Sequence, residues 1–240
     1  MARFVLVHGA FYGAWCWERV TPLLRARGHE VFAPTLTGLG ERAELLSPAI
    51  GLQTHVDDVV RFLELQNLQE VVLVGHSYSG MVIGCAAHRL PERIAHLVYF
   101  DAFVPEDGKS LSDIQSERFR LALLELAQTE GEGWKIPALD PTSETLGVTD
   151  ERDAEWLRSK LTAHPFRTLL EPAVLGNPKA ETIPRTFIFC TGNPPDGSFP
   201  RLARELKARP DWKYMEINSS HSVMITAPQA LAEKLLAVVE

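Results

Sequence analysis

A serine, a histidine and one of two aspartates have the types and positions for acyl-transfer chemistry. A serine hydroxyl is a weak nucleophile until a neighbouring base takes its proton, and histidine, titrating near neutrality, is the usual base. Ser77 lies at the apex of Gly75-His76-Ser77-Tyr78-Ser79-Gly80, directly after the apolar run Val71 to Val74 and directly before the helical pattern Met81 to Leu90. A strand, a tight turn of small residues and a helix together hold the apex side chain outward. The pattern departs from G-x-S-x-G at one position: Ser79 stands where the second glycine is expected, and Gly80 follows it.

In an open α/β sheet, reactive groups gather beyond the carboxyl ends of the strands. That rule sorts the 8 histidines. His96 falls within a strand, His29 at a strand start, His55 at a helix start and His88 near a helix end, all positions suited to structural roles. His164 falls in a long middle segment. His8 and His76 sit inside tight loops, where packing or support of other groups is expected. His221, in NSSHSVMITAPQAL, follows the last strand and precedes the last helix, so it is the expected base.

The acid must be a buried carboxylate that fixes the imidazole tautomer and stabilises the imidazolium. Asp101 ends the strand Ile94 to Phe100 and is preferred. Asp196, in the loop after the strand Thr186 to Thr191, is the alternative. The loop after that strand is the commoner home for the acid, yet Asn193 stands nearest its end. Two oxyanion donors are expected, the backbone N–H of Tyr78 and that of Ala10 in the loop His8-Gly9-Ala10, with Phe11 as the fallback.

These groups require a frame that alternates strand and helix. Phe4 to Val7, His29 to Pro34, Val71 to Val74, Ile94 to Phe100, Thr186 to Thr191 and Lys213 to Ile217 read as buried strands, with helical spacing between them. The expected fold is α/β, a mainly parallel sheet of about six strands flanked by helices. From Phe103 to about Thr182 the alternation stops. This segment has 15 acidic residues against 9 basic ones and so carries −6 of the chain's −7. It contains helical stretches over 113–126 and 150–162, six prolines and the exposed-looking aromatics Trp134, Trp156 and Phe166. It is too long for a plain connection and is expected to form a cap. The core is then 1–102 with 183–240, and the cap 103–182.

The chain has 240 residues, of which 45% are hydrophobic and 23% charged, the profile of a globular domain with a sizeable core. Its net charge of −7, with no Lys/Arg cluster, excludes nucleic acid as the expected partner. No apolar run approaches the roughly 20 residues of a membrane span, and the opening MARFVLVHG has no leader pattern, so cytoplasmic residence is expected. Three well-separated cysteines, Cys16, Cys85 and Cys190, indicate neither a disulfide framework nor a metal site. No metal or organic cofactor is expected.

The segments FVLVHGAFYGAWCWERVTPLLRARGHEVFAPTLTGLGER, VVLVGHSYSGM and VYFDAFVPEDG, together with the terminal H-x-x-M, resemble the α/β-hydrolase superfamily. More narrowly they are similar to the branch of plant methylesterases, hydroxynitrile lyases and their bacterial esterase relatives. The resemblance covers both ends of the chain and is weakest over 103–182. It implies a sheet that begins at the third strand of the full fold, a cap between the sixth and seventh strands, Ser77 and His221 as nucleophile and base, and Ala10 with Tyr78 as oxyanion donors. The usual family aspartate after the seventh strand does not align cleanly. Lyases of this branch carry threonine where Gly9 stands and lysine shortly after the base, where this chain has Ser222, Val223 and Met224. Dehalogenases of the superfamily require aspartate in place of Ser77.

The expected activity is therefore that of a serine esterase acting through an acyl-enzyme. Phe11, Tyr12, Phe103 and Met224 are expected to form an apolar pocket for small to medium aromatic or apolar esters. The expected partner is a small-molecule ester, with a homodimer left open. Competing readings on the same scaffold are a lyase-like or other C–C or C–N bond-cleaving enzyme and a non-catalytic small-molecule receptor.

Overall fold

The structure, a computed structural model, describes residues 1–195 and 197–240. Asp196 lies outside the described residues. Six strands make one wholly parallel sheet: β1 (Arg3–Val7), β2 (Glu30–Phe32), β3 (Val71–His76), β4 (Ile94–Phe100), β7 (Arg185–Cys190) and β8 (Trp212–Ile217), in the order β2-β1-β3-β4-β7-β8. The short β5 (Lys135–Ile136) and β6 (His164–Pro165) pair as an antiparallel ribbon outside that sheet.

The continuous apolar runs are explained by burial on both faces. Val5, Val7, Val71, Leu73, Leu97, Tyr99 and Phe187 point to one core, where they meet α2 (Leu52–Leu65) and α3 (Ser79–Arg89). Phe4, Leu6, Val72, Val74, Val98, Phe100, Ile188 and Cys190 point to the other, beside Trp17, Leu24 of α1 (Thr21–Arg25) and the C-terminal helix Pro228–Val239. The period-two alternation divides each strand between two hydrophobic layers, which is the layered architecture of an α/β protein.

Between β4 and β7 the chain forms α4 (Leu111–Ile114), α5 (Glu117–Thr129), α6 (Glu151–Arg158) and α7 (Arg167–Leu170). The single helix expected over 113–126 is two, because Ser116 adopts an extended backbone and its hydroxyl accepts the Phe119 N–H as the cap of α5. The helix expected to reach Thr162 ends at Arg158. The aromatics of this segment are not exposed: Phe166 is buried, and Trp134 and Trp156 are half-buried, the latter edge-on to Trp15 beneath Arg19. Among the described residues no helix is long and apolar enough to cross a membrane.

Candidate active site

The chain turns after β3 through Ser77, whose φ of 55° lies in the left-handed region. For a non-glycine residue this conformation costs about 1–2 kcal/mol. The surroundings enforce it. Ser77 N–H donates to Phe100 O (3.3 Å), and Ser77 O accepts from Phe103 N–H and Gly80 N–H (both 3.1 Å). The close approach falls on Gly80, where a Cβ would sit 1.9 Å from Phe103 O. Ser79, in the position of the expected glycine, fits because its hydroxyl bonds to the ends of two strands, with Oγ 2.8 Å from Val7 O and 2.9 Å from His76 O.

Asp101 is the first residue after β4 and is also left-handed, with φ 42°. Its N–H donates to Ile188 O (2.7 Å), which aligns it with the end of β7. The carboxylate is fully buried, and His221 Nδ1–H donates to Asp101 Oδ2 at 2.5 Å. Asp101 Oδ1 accepts from Cys190 N–H (3.1 Å), and Asn193 Nδ2 lies 2.9 and 2.8 Å from the two carboxylate oxygens and 2.8 Å from Cys190 O. Asn193 thus stands between the end of β7 and the acid.

With Nδ1–H given to Asp101, a neutral His221 ring carries its lone pair on Nε2. The ring is held in place: Phe199 stacks on it at 5.0 Å, and His76 Nε2–H donates to the His221 carbonyl at 3.1 Å. Ser77 and His221 line one cavity of about 50 Å3, together with Ala10, Phe11, Tyr12, Tyr78 and Phe103. Ser77 Oγ makes no hydrogen bond to a described residue, and such contacts in unliganded sites commonly tighten only when substrate binds. The backbone N–H groups of Ala10, Phe11 and Tyr78 are likewise uncommitted, and Phe11, at φ 71°, turns the loop there. A larger cleft of about 230 Å3, whose walls include Arg118, Asn193 and Ser198, adjoins this cavity and shares Phe103, Phe119, Thr145 and Phe199 with it.

Met224 is not part of this pocket. The loop after β8 coils into a short helix, Val223–Thr226, which buries Met224 completely in the core on the opposite face of the sheet, with Trp17 and Leu231. The cavity has walls that the residue pattern did not reveal: Phe119, Leu123, Ile136, Leu139, Leu146, His164 and Phe199 come from the middle segment or the start of the helix Ser198–Lys207. Phe119 and Leu123 share a face of α5, but no repeat links that face to the other residues of the wall.

The other histidines are engaged elsewhere. His8 donates Nδ1–H to Gly9 O (2.8 Å) and accepts Leu36 N–H on Nε2 (3.1 Å), and burial pushes its pKa down to about 4. His55 donates Nε2–H to Thr37 O (2.9 Å), which leaves Nδ1 to accept the Tyr78 hydroxyl (2.9 Å); burial holds its pKa at about 4. His96 pairs with Thr186 Oγ1 (2.8 Å). Among the described residues no group of three or more His, Cys, Asp or Glu side chains could hold a metal ion.

A family model described as the alpha/beta hydrolase family matches residues 4–234. The chain is 37% identical over 247 residues to the carbendazim hydrolyzing esterase of Nocardioides sp. (strain SG-4G), covering 99% of this chain and 100% of that protein. It is 37% identical over 111 residues to Methylesterase 8 of Arabidopsis thaliana, covering 46% of this chain and 41% of that protein, so it spans under half of the plant relative's length. Among solved structures it superposes with a TM-score of 0.86 and 25% identity, covering 99% of this chain and 98% of the other, on an extracellular alpha/beta-hydrolase from a Paenibacillus species described as sharing structural and functional homology with tobacco salicylic acid binding protein 2.

Proposed function

The chain belongs to the α/β-hydrolase family and is a carboxylic ester hydrolase, and from that premise we propose that it cleaves small to medium aromatic or apolar esters through Ser77, His221 and Asp101. The observation that carries this reading is the buried His221–Asp101 hydrogen bond at 2.5 Å, whose imidazole shares a cavity with Ser77.

Ser77 Oγ attacks the ester carbonyl carbon while His221 Nε2 takes its proton, and Asp101 stabilises the imidazolium. Negative charge then gathers on the carbonyl oxygen. The free N–H groups of Tyr78 and Ala10 are the proposed donors to it, each worth about 3 kcal/mol. Collapse of the tetrahedral intermediate expels the alcohol, which receives the proton from His221. Water, deprotonated by His221, attacks the acyl-enzyme, and the same steps release the acid and restore Ser77. The segment 103–182 is the proposed cap, since its side chains supply the apolar walls opposite the catalytic turn.

Gly9 favours hydrolysis over a lyase reaction of the hydroxynitrile type. A Cβ there would stand 2.8 Å from His76 Nδ1 and 3.1 Å from Ser77 Cβ, so the threonine of such lyases has no room in this arrangement. The test is labelling with a fluorophosphonate probe followed by mass mapping. The adduct is expected on the peptide containing Ser77, and an unlabelled protein, or an adduct elsewhere, would overturn the reading.

A further inference from the structure

His164, in β6, is wholly buried and lines the cavity that holds Ser77 and His221. Its ring stands edge-on to Tyr78 at 4.8 Å and to Phe11 at 5.7 Å. Its proton can be located from its neighbours. Thr168 Oγ1 lies 2.7 Å from Pro165 O and 2.7 Å from His164 Nε2. A carbonyl only accepts, so we assign the one hydroxyl proton of Thr168 to Pro165 O, which leaves the hydroxyl oxygen to accept His164 Nε2–H. Burial, with His55 and His8 nearby, holds the ring pKa well below its ordinary value, so the imidazole is neutral. Nδ1 then carries a bare lone pair, and this buried atom has no hydrogen-bond partner.

The hydroxyl of Tyr78, whose ring lies edge-on to His164, is not available to it. The Tyr78 hydroxyl proton is committed to His55 Nδ1, because His55 Nε2–H is committed to Thr37 O. Buried acceptors in folded proteins are nearly always satisfied, and an orphan at a cavity wall is what a site leaves for its ligand. We propose that His164 Nδ1 accepts a hydrogen bond from the substrate, so that the preferred esters carry an O–H or N–H donor close to the reacting ester group. The inference rests on the ester-hydrolase reading and names the substrate class for that same site.

Two isosteric pairs test it, each exchanging a hydroxyl for a methyl: methyl mandelate against methyl 2-phenylpropanoate on the acyl side, and 2-hydroxyethyl benzoate against propyl benzoate on the alcohol side. In the unaltered protein one pair is expected to show a kcat/KM preference for the hydroxyl ester of about tenfold or more. His164→Gln keeps a donor for Thr168 but offers no acceptor at the Nδ1 position, and is expected to abolish the preference. His164→Asn keeps an acceptor at the Nδ1 position while losing the Thr168 bond, and is expected to retain it. A merely structural histidine predicts the reverse order, with Gln the milder change. Hydrolysis of both pairs without preference, as when a resident water satisfies Nδ1, overturns the assignment of His164 and leaves the esterase reading standing. Failure to hydrolyse all four esters, with no probe adduct, sinks both.

Discussion

The amide nitrogen of Asn193 lies 2.8 Å and 2.9 Å from the two oxygens of Asp101, so a residue of the loop after β7 grips the carboxylate that faces His221. The resemblance places the acid in that loop; in the triad proposed above, Asn193 stands there and the acid is the residue that follows β4. Without the amide, Asp101 keeps Cys190 N–H on one oxygen and is freer to rotate. Asn193→Ala is expected to lower kcat/KM by up to about 10²-fold, the scale of a small misplacement of a catalytic group. Steady-state kinetics with unchanged kcat/KM would show that the backbone contact alone orients the acid.

Ser77→Ala is expected to reduce turnover by about 10⁴- to 10⁶-fold with the fold intact. Circular dichroism and p-nitrophenyl ester hydrolysis measure both halves. A variant keeping a tenth of the activity would remove Ser77 from its role.

Asp101→Asn is expected to cost about 10⁴-fold in kcat, because an amide favours the wrong imidazole tautomer. Asp196→Asn is expected to be nearly silent by comparison, since Asp101 already occupies His221 Nδ1. The opposite ranking would transfer the acid's role to Asp196.

Gly80→Ala is expected to destabilise the protein by about 3 kcal/mol or more, because its Cβ meets backbone that cannot swing aside, whereas Ser79→Gly is expected to cost about 1 kcal/mol for the lost hydroxyl bonds and added chain entropy. Urea unfolding midpoints give the ranking. Equal midpoints would mean that the helix shifts to admit the methyl.

His8 and His55 both titrate at about 4 in the folded chain against an ordinary 6.5, with burial as the main cause. Between those values the unfolded chain binds more protons than the folded one, so stability falls as pH drops from 6.5 towards 4. Each group contributes on the order of 3 kcal/mol across that window. Urea midpoints at pH 7, 6, 5 and 4.5 are expected to decline steadily. A flat profile would mean that these rings are already protonated or become exposed.

Much of the frame was legible because burial on both faces writes a strand as an unbroken apolar run. Ile94–Phe100 was read to the residue, and with it the placing of Asp101 at a sheet edge. The position of His221, in the loop after the last strand, was legible as well. The cavity wall was not, since Leu146 and His164, in segments without a regular repeat, and Phe119, on a helix whose facing is set by packing, come to the cavity of Ser77 only through tertiary structure. Met224 was misread because a short helix after β8 turns its side chain into the far core. The grip of Asn193 on Asp101 depends on the register of β4 with β7, Phe100 against Ile188, which one strand's sequence does not encode.

Carrying the carboxylate on β4 divides labour between two parts of the molecule. Among the described residues, the stretch after β7 meets the imidazole and its acid through Asn193 and Phe199, while Pro194, Gly197 and Ser198 line the larger cleft. Substitutions at those three positions are expected to reshape what enters while the Asp101–His221 pair stays held at the edge of the sheet. Libraries confined to those three positions are therefore expected to shift substrate preference more than turnover.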